Sequence, residues 1–172
     1  MQLTRRKAYP EAMQRKSFED MNCSVARSLD VVGEWWTLLV VRDALLGVTR
    51  FDDFQERLGI SRNVLAVRLE RLVDEGIFEK VPYQERPLRH DYRLTRKGAA
   101  LWPVLTALRE WGDRWIVGED EAPVVWVHET CGHPSEAKLH CGHCGERLRG
   151  STLRAIPGPG ATDPDFIPVP MS

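Results

Sequence analysis

The chain has 172 residues, 42% of them hydrophobic, with 24 Lys plus Arg against 25 Asp plus Glu and a formal net charge of −1. That length and apolar content suit one modest domain with an appendage. No stretch approaches the roughly 20 apolar residues of a membrane span, and residues 1–16 are too polar and basic for a secretory signal, so a cytoplasmic protein is expected.

Charge is unevenly spread. Residues 1–98 hold 18 Lys plus Arg against 15 Asp plus Glu (+3), and residues 99–172 hold 6 against 10 (−4). The basic excess therefore lies in the first half, and a polyanion is met by local clusters rather than by total charge. Residues 1–22 carry Arg5, Arg6, Lys7, Arg15 and Lys16 and read as a basic arm, either a solvated terminus or a reach toward nucleic acid. From 25 to 46 the pattern predicts one or two helices. Val25, Leu29 and Val32 repeat at helical spacing, Gly33 is a natural break, and the run from Trp35 to Val41 is apolar nearly all round, as in a central buried helix. The adjacent Trp35 and Trp36 cannot share one helix face.

Phe51, Phe54 and Leu58 form the stripe of a short amphipathic helix that Gly59-Ile60 interrupts. Ser61 is a good N-cap for a second helix, with Leu65, Leu69, Leu72 and Val73 facing inward and Gly76 marking its end. Two helices joined this tightly make a helix-turn-helix. Residues 77–81 and 89–94 read as strands, with 82–88 as a hairpin tip rich in proline and arginine, the wing. Thr95 is placed to cap a long helix through Leu101, Leu105, Leu108, Trp111 and Trp115, which Pro103 either kinks or enters in its first turns. Its apolar stripe calls for cover from the chain's own first helices, from a partner subunit in a two-fold dimer, or from both.

This order of parts suits double-stranded DNA. The N-terminal residues of a helix laid in the major groove reach deepest, and here they are Arg62 and Asn63. Arginine can fork onto guanine and asparagine onto adenine, while Ala66 and Val67 on the outward face could meet a thymine methyl. Arg68 and Arg71 on the helix, and Arg86, Arg89 and His90 on the wing, are assigned to phosphates.

A second motif follows the long helix. His128-x-x-Cys131-Gly132 and Cys141-x-x-Cys144-Gly145 are paired ligand knuckles, with Val124 to Val127 leading in as a strand. Zinc takes four such donors at tetrahedral corners, so the expected cofactor is structural Zn held by His128, Cys131, Cys141 and Cys144. His133, His140 and His143 compete for the nitrogen position. The sequence Cys141-Gly142-His143-Cys144 also matches the active-site tetrapeptide of thiol-disulfide oxidoreductases, but Gly145 and a proline-rich tail replace the long helix that chemistry needs. No G-x-S-x-G nucleophile elbow occurs, and no enzyme activity is expected. The remaining alternative is a zinc-ribbon adaptor for protein contacts.

Between Cys23 and about Trp115 the chain resembles the HxlR-type family of bacterial winged helix-turn-helix transcriptional regulators. The matching runs are Leu29-Asp30-Val31-Val32-Gly33, Trp36-Thr37-Leu38-Leu39, Arg50-Phe51, Ile60-Ser61-Arg62-Asn63-Val64-Leu65 with Arg68-Leu69, Tyr83-Gln84-Glu85-Arg86-Pro87, Tyr92-Arg93-Leu94-Thr95 with Lys97-Gly98, and Trp111-Gly112. The resemblance implies a homodimer on operator DNA that responds to a small molecule or oxidant. It also implies sensing at Cys23, where a helix N-terminus favours a thiolate; a small buried hydrophobe is the competing reading. Ser24 and Val67 depart from the family pattern, which has proline and commonly a polar residue there. The predicted architecture is mainly α with a small β wing: basic arm 1–22, winged helix-turn-helix 23–117, zinc-ribbon-like β module 118–154 and a Pro-rich disordered tail 155–172.

Overall fold

Gly33 and the tryptophans after it divide the first apolar stretch into two helices, α1 (Ser24–Val32) and α2 (Thr37–Leu45). The computed structural model describes residues 17, 18 and 20–162, so most of the basic arm and the tail beyond 162 lie outside the described residues. Helix α2 is central, with Val40 and Val41 fully buried. The tryptophans, expected within the helix, lie in the turn before it: Trp36 packs on the core and Trp35 is 81% exposed. One residue of this apolar helix departs from expectation. Asp43 is fully buried, and its carboxylate lies 2.9 Å from Arg42 and 3.5 Å from Arg57 of α3 (Phe51–Leu58). A charge removed from water needs such partners, and the Arg57 contact fixes α3 against α2.

Gly59 ends α3 in the left-handed conformation, φ 64, which glycine adopts without steric cost. Ser61 then accepts the Val64 N–H at 3.3 Å and caps α4 (Arg62–Asp74). Leu65, Leu69 and Leu72 join Phe54, Ile60, Ile77 and Phe78 in one core, where each large side chain contributes about 1.5–3 kcal/mol by leaving water.

The wing is an antiparallel pair, β1 (Phe78–Glu85) and β2 (Leu88–Leu94), in register from Phe78↔Leu94 to Glu85↔Leu88. Its strands run further than predicted, and the tip shrinks from 82–88 to Arg86-Pro87. Pro82 cannot donate to the ladder, but the pairing absorbs it by leaving Tyr83 as an extra residue between Pro82↔His90 and Gln84↔Arg89.

Thr95 caps a single turn, α5 (Arg96–Ala99), and the chain resumes as α6 (Trp102–Gly112) with Pro103 in its first turn. The long helix read from the sequence is therefore two, since proline suits a helix start and not an interior. A wide turn, Asp113–Val117, continues α6. Beyond it, β3 (Val127–His128) pairs with β4 (His133–Pro134), and an isolated bridge joins His140 to Arg147. This C-terminal module docks on α6 through Arg109, which donates to the Val124 carbonyl at 2.9 Å and lies 6.0 Å from the Trp126 ring centroid, and through the Ala137 N–H on the Glu110 carboxylate. Residues 155–162, read as the start of a free tail, return to the front of α1, where the Asn22 amide donates to the Gly160 carbonyl and the Thr162 hydroxyl. Among the described residues no helix is long and apolar enough to cross a membrane.

Candidate nucleic-acid interface

The Ser61 cap starts α4 with Arg62 and Asn63 at its open end. Arg62 and Asn63 in the open first turn, and Ala66 and Val67 on the side turned from Leu65 and Leu69, are all exposed, with Val67 at 59%. Arg62 is held ready at this edge. Its Nη1 lies 2.8 Å from Asp52 Oδ1 and 3.1 Å from Gln55 Oε1, and its guanidinium stacks 4.8 Å from the Phe51 ring centroid. A forked donor, an amide and two small apolar groups exposed over the first turns of one helix are the side-chain types that read base edges.

Arg68 and Arg71 are engaged within the chain. Arg68 is paired with Glu34 at 2.9 Å with its side chain 19% exposed, and Arg71 donates to the Asp30 carbonyl. Both flank the buried leucine stripe, so their long side chains run back over α1 and the turn after it. These contacts make them ties that set the attitude of α4. Asp30 and Glu34 are the partners that periodicity did not single out.

At the wing, Arg86 and Arg89 are exposed beside the tip, and His90 is half-buried opposite Pro82. The base of the wing is fastened to the link between α2 and α3. The Tyr92 N–H donates to the Thr49 carbonyl at 2.7 Å, Arg50 bridges Asp91, and the Asp91 carboxylate meets the Thr49 hydroxyl at 3.4 Å and Arg93 at 3.3 Å. Arg50 also lies 4.7 Å from the Tyr83 ring centroid. Lys80 fastens β1 to α4 through Glu70 at 2.6 Å, and that hydrogen bond raises the Lys80 ammonium above the usual lysine range. Burial raises the neighbouring Tyr92 phenol.

The α6 stripe is only partly covered by its own chain. Leu101 and Leu105 pack on the core, while Trp102, Leu108, Trp111, Trp115 and Ile116 are exposed. Cys23 is the N-cap of α1 and is exposed; its side chain makes no capping hydrogen bond.

The predicted zinc ligands form two pairs. His128 Nδ1 lies 3.4 Å from Cys131 Sγ. The Cys141 sulfur receives the backbone N–H groups of Cys144 and His143 and a side-chain hydrogen bond from Cys144, which together lower the Cys141 thiol below its ordinary range. Among the described residues no group of three or more His, Cys, Asp or Glu is arranged to hold a metal ion. The donor types fit zinc, and the side chains are assembled pairwise. His133 and His140 turn their Nδ1 atoms to the Cys131 and Gly145 carbonyls, at 2.7 and 2.9 Å.

Residues 31–120 match the family model of HxlR-like helix-turn-helix proteins. The uncharacterized HTH-type transcriptional regulator Rv3095 of Mycobacterium tuberculosis is 43% identical over 137 residues, 80% of this chain and 87% of its own. YvaP, an uncharacterized HTH-type transcriptional regulator of Bacillus subtilis, is 35% identical over 91 residues, 52% of this chain and 84% of its own. Among solved structures, PA1607, described as a candidate transcription factor, matches with a TM-score of 0.72 at 41% identity and covers 81% of this chain and 98% of its own. PA1374 from Pseudomonas aeruginosa, described likewise, gives 0.60 at 39%, covering 82% and 96%.

Proposed function

The chain belongs to the HxlR-like helix-turn-helix family, and from that premise we propose that it is a homodimeric, sequence-specific regulator that lays two copies of α4 on a two-fold symmetric operator. Members of this family are transcriptional regulators and not enzymes. The observation that carries the reading is that α4 buries its leucines while Arg62 and Asn63 at its open end and Ala66 and Val67 on its outer side stay exposed.

Asn63 and Arg62 would read base edges, and Arg86 and Arg89 would neutralise phosphates beside the groove. His90, half-buried, would contribute less. A second copy covering the exposed aromatic stripe of α6 would place the two α4 helices about one DNA turn apart. The site of action is the cytoplasm. The effector arm of the proposal is an oxidant or electrophile acting at the exposed Cys23 thiol, whose modification shifts α1 and with it the spacing of the pair.

The test is selection of bound duplexes from a randomised pool, followed by titration of Asn63→Ala against the selected site. A two-fold symmetric consensus, two chains per duplex, and loss of discrimination at one base pair per half-site are expected. Uniform binding to every duplex would overturn the regulator reading in favour of the adaptor, and loss of operator binding after diamide in Cys23→Ser as well as wild type would remove Cys23 as the sensor.

A further inference from the structure

The module from 124 to 154 has a stability problem that its sequence solves in one way. Among the described residues none between 127 and 147 is buried, and β3 and β4 are two residues long each. So short a hairpin with no apolar core does not hold itself together in water, and small modules of this kind take a disulfide or a metal as a staple. The three cysteines here, Cys131, Cys141 and Cys144, are free thiols.

The backbone builds the same turn twice. In the first knuckle the Gly132 N–H donates to the His128 carbonyl at 2.7 Å, and in the second the Gly145 N–H donates to the Cys141 carbonyl at 2.9 Å. Both glycines are left-handed, φ 72 and 76, a conformation L side chains rarely adopt. Each turn thus puts a donor side chain at its first position beside a cysteine at its fourth. Short paired segments close each turn, His128↔His133 in one and His140↔Arg147 in the other.

We infer that His128, Cys131, Cys141 and Cys144 bind one Zn²⁺ ion that joins the two knuckles into a single structural site. Three thiols and a neutral imidazole displace water from the ion and release three protons, leaving a site of net charge −1. His128 is the histidine favoured here: its Nδ1 lies 3.4 Å from the Cys131 sulfur, and it holds the first position of its turn as Cys141 does in the other. Because Arg109 and Glu110 of α6 hold this module, the ion would also brace what packs on the end of that helix.

The full chain, purified under reducing conditions without chelator, should contain one zinc per chain by elemental analysis. Cys131→Ser, Cys144→Ser and His128→Ala should each lose it, while His133→Ala should retain it. Exchange with cobalt(II) should give the visible bands of a tetrahedral thiolate site, and a chelator should expose 124–154 to protease. Metal-free wild type, or full zinc in Cys131→Ser, would overturn the site. Zinc lost from His133→Ala but kept in His128→Ala would overturn the ligand assignment. If the variants prove insoluble, cobalt titration of the metal-stripped wild type decides: octahedral pale bands overturn the proposal, and intense tetrahedral bands support it.

Discussion

Arg68 of α4 and Glu34, in the turn before α2, form an ion pair of 2.9 Å with both side chains largely withdrawn from water. The recognition helix is thereby set against the helical body by charge as well as by its leucines. Breaking this pair should cost about 1–2 kcal/mol, between the values for exposed and fully buried pairs. Arg86 at the wing tip is exposed and should behave in the opposite way. Arg68→Ala is expected to lower the urea midpoint and leave the salt dependence of DNA binding nearly unchanged. Arg86→Ala should leave stability alone and reduce the salt slope by about 1. Chemical unfolding and binding titrations at several ionic strengths check both; a reduced salt slope in Arg68→Ala would return that residue to the DNA face.

A close approach of backbone makes the second prediction. A Cβ built on Gly98 would sit 2.3 Å from the Ile77 carbonyl oxygen and 2.8 Å from Leu94 Cδ2. Neither the strand entry nor the capped turn of α5 can yield easily, since Thr95 also bonds the Gly76 and Ile77 carbonyls. Gly98→Ala should therefore destabilise by about 1–3 kcal/mol through overpacking. Gly112, helical and with nothing within 4 Å of its Cβ position, is the control. Gly112→Ala should be neutral or stabilise by up to about 1 kcal/mol. Thermal unfolding of the two variants distinguishes them; equal melting temperatures would mean the Ile77 approach relaxes freely.

The features legible in the sequence were those carried by neighbours along the chain. The Ser61 cap bonds a residue three positions away, Gly59 and Gly76 end their turns by their own φ, and the inward leucines repeat at helical spacing. Asp43 was invisible for the converse reason. Within an apolar helix it reads as an isolated polar position, and Arg57, its inter-helix partner, lies on the next helix. The partners of Arg68 and Arg71 were equally hidden, because periodicity separates inside from outside but cannot say which flank of a helix another helix covers. The wing tip was overestimated because Pro82 signals a turn, whereas a bulge at Tyr83 accommodates it. At the knuckles, spacing named the pairs and favoured His128 among the histidines; in the structure its Nδ1 lies 3.4 Å from Cys131 Sγ.

Alkaline pH should loosen the wing first. Lys80 is raised by its hydrogen bond to Glu70, so the folded state keeps its proton above the ordinary lysine value of about 10.4. The stability that this gives is complete below that value and is lost as pH rises through the higher folded one. Tyr92, raised by burial, acts in the same window, because the unfolded chain ionises first. Stability is therefore expected to fall above about pH 10. Lys80→Met should flatten part of that decline while costing less than about 1 kcal/mol at neutral pH, since Glu70 is exposed. Urea midpoints at neutral and alkaline pH test this, and an unchanged alkaline slope in Lys80→Met would assign the decline to Tyr92 alone.

The last prediction concerns how Arg62 is presented to a base pair. Its Nη1 is engaged by Asp52 at 2.8 Å and Gln55 at 3.1 Å, and the guanidinium lies on Phe51. Two acceptors and an aromatic face define the plane of the fork before DNA arrives, which reduces the rotamer freedom lost on binding. The Asp52 carboxylate also places a negative charge close to the approaching phosphates. Removing it should have two opposed effects. Asp52→Ala is expected to strengthen binding to unrelated duplexes by relieving repulsion, and to weaken discrimination because Arg62 is no longer oriented. Arg62→Lys keeps the charge and loses the fork, so it should bind unrelated DNA as wild type does and lose about 1–3 kcal/mol of discrimination at one base pair of each half-site. Anisotropy titrations with the selected site, single-base variants of it and an unrelated duplex separate the two effects. If Arg62→Lys retains full discrimination, base reading does not pass through Arg62, and Asn63 is left as the polar reader of the α4 face.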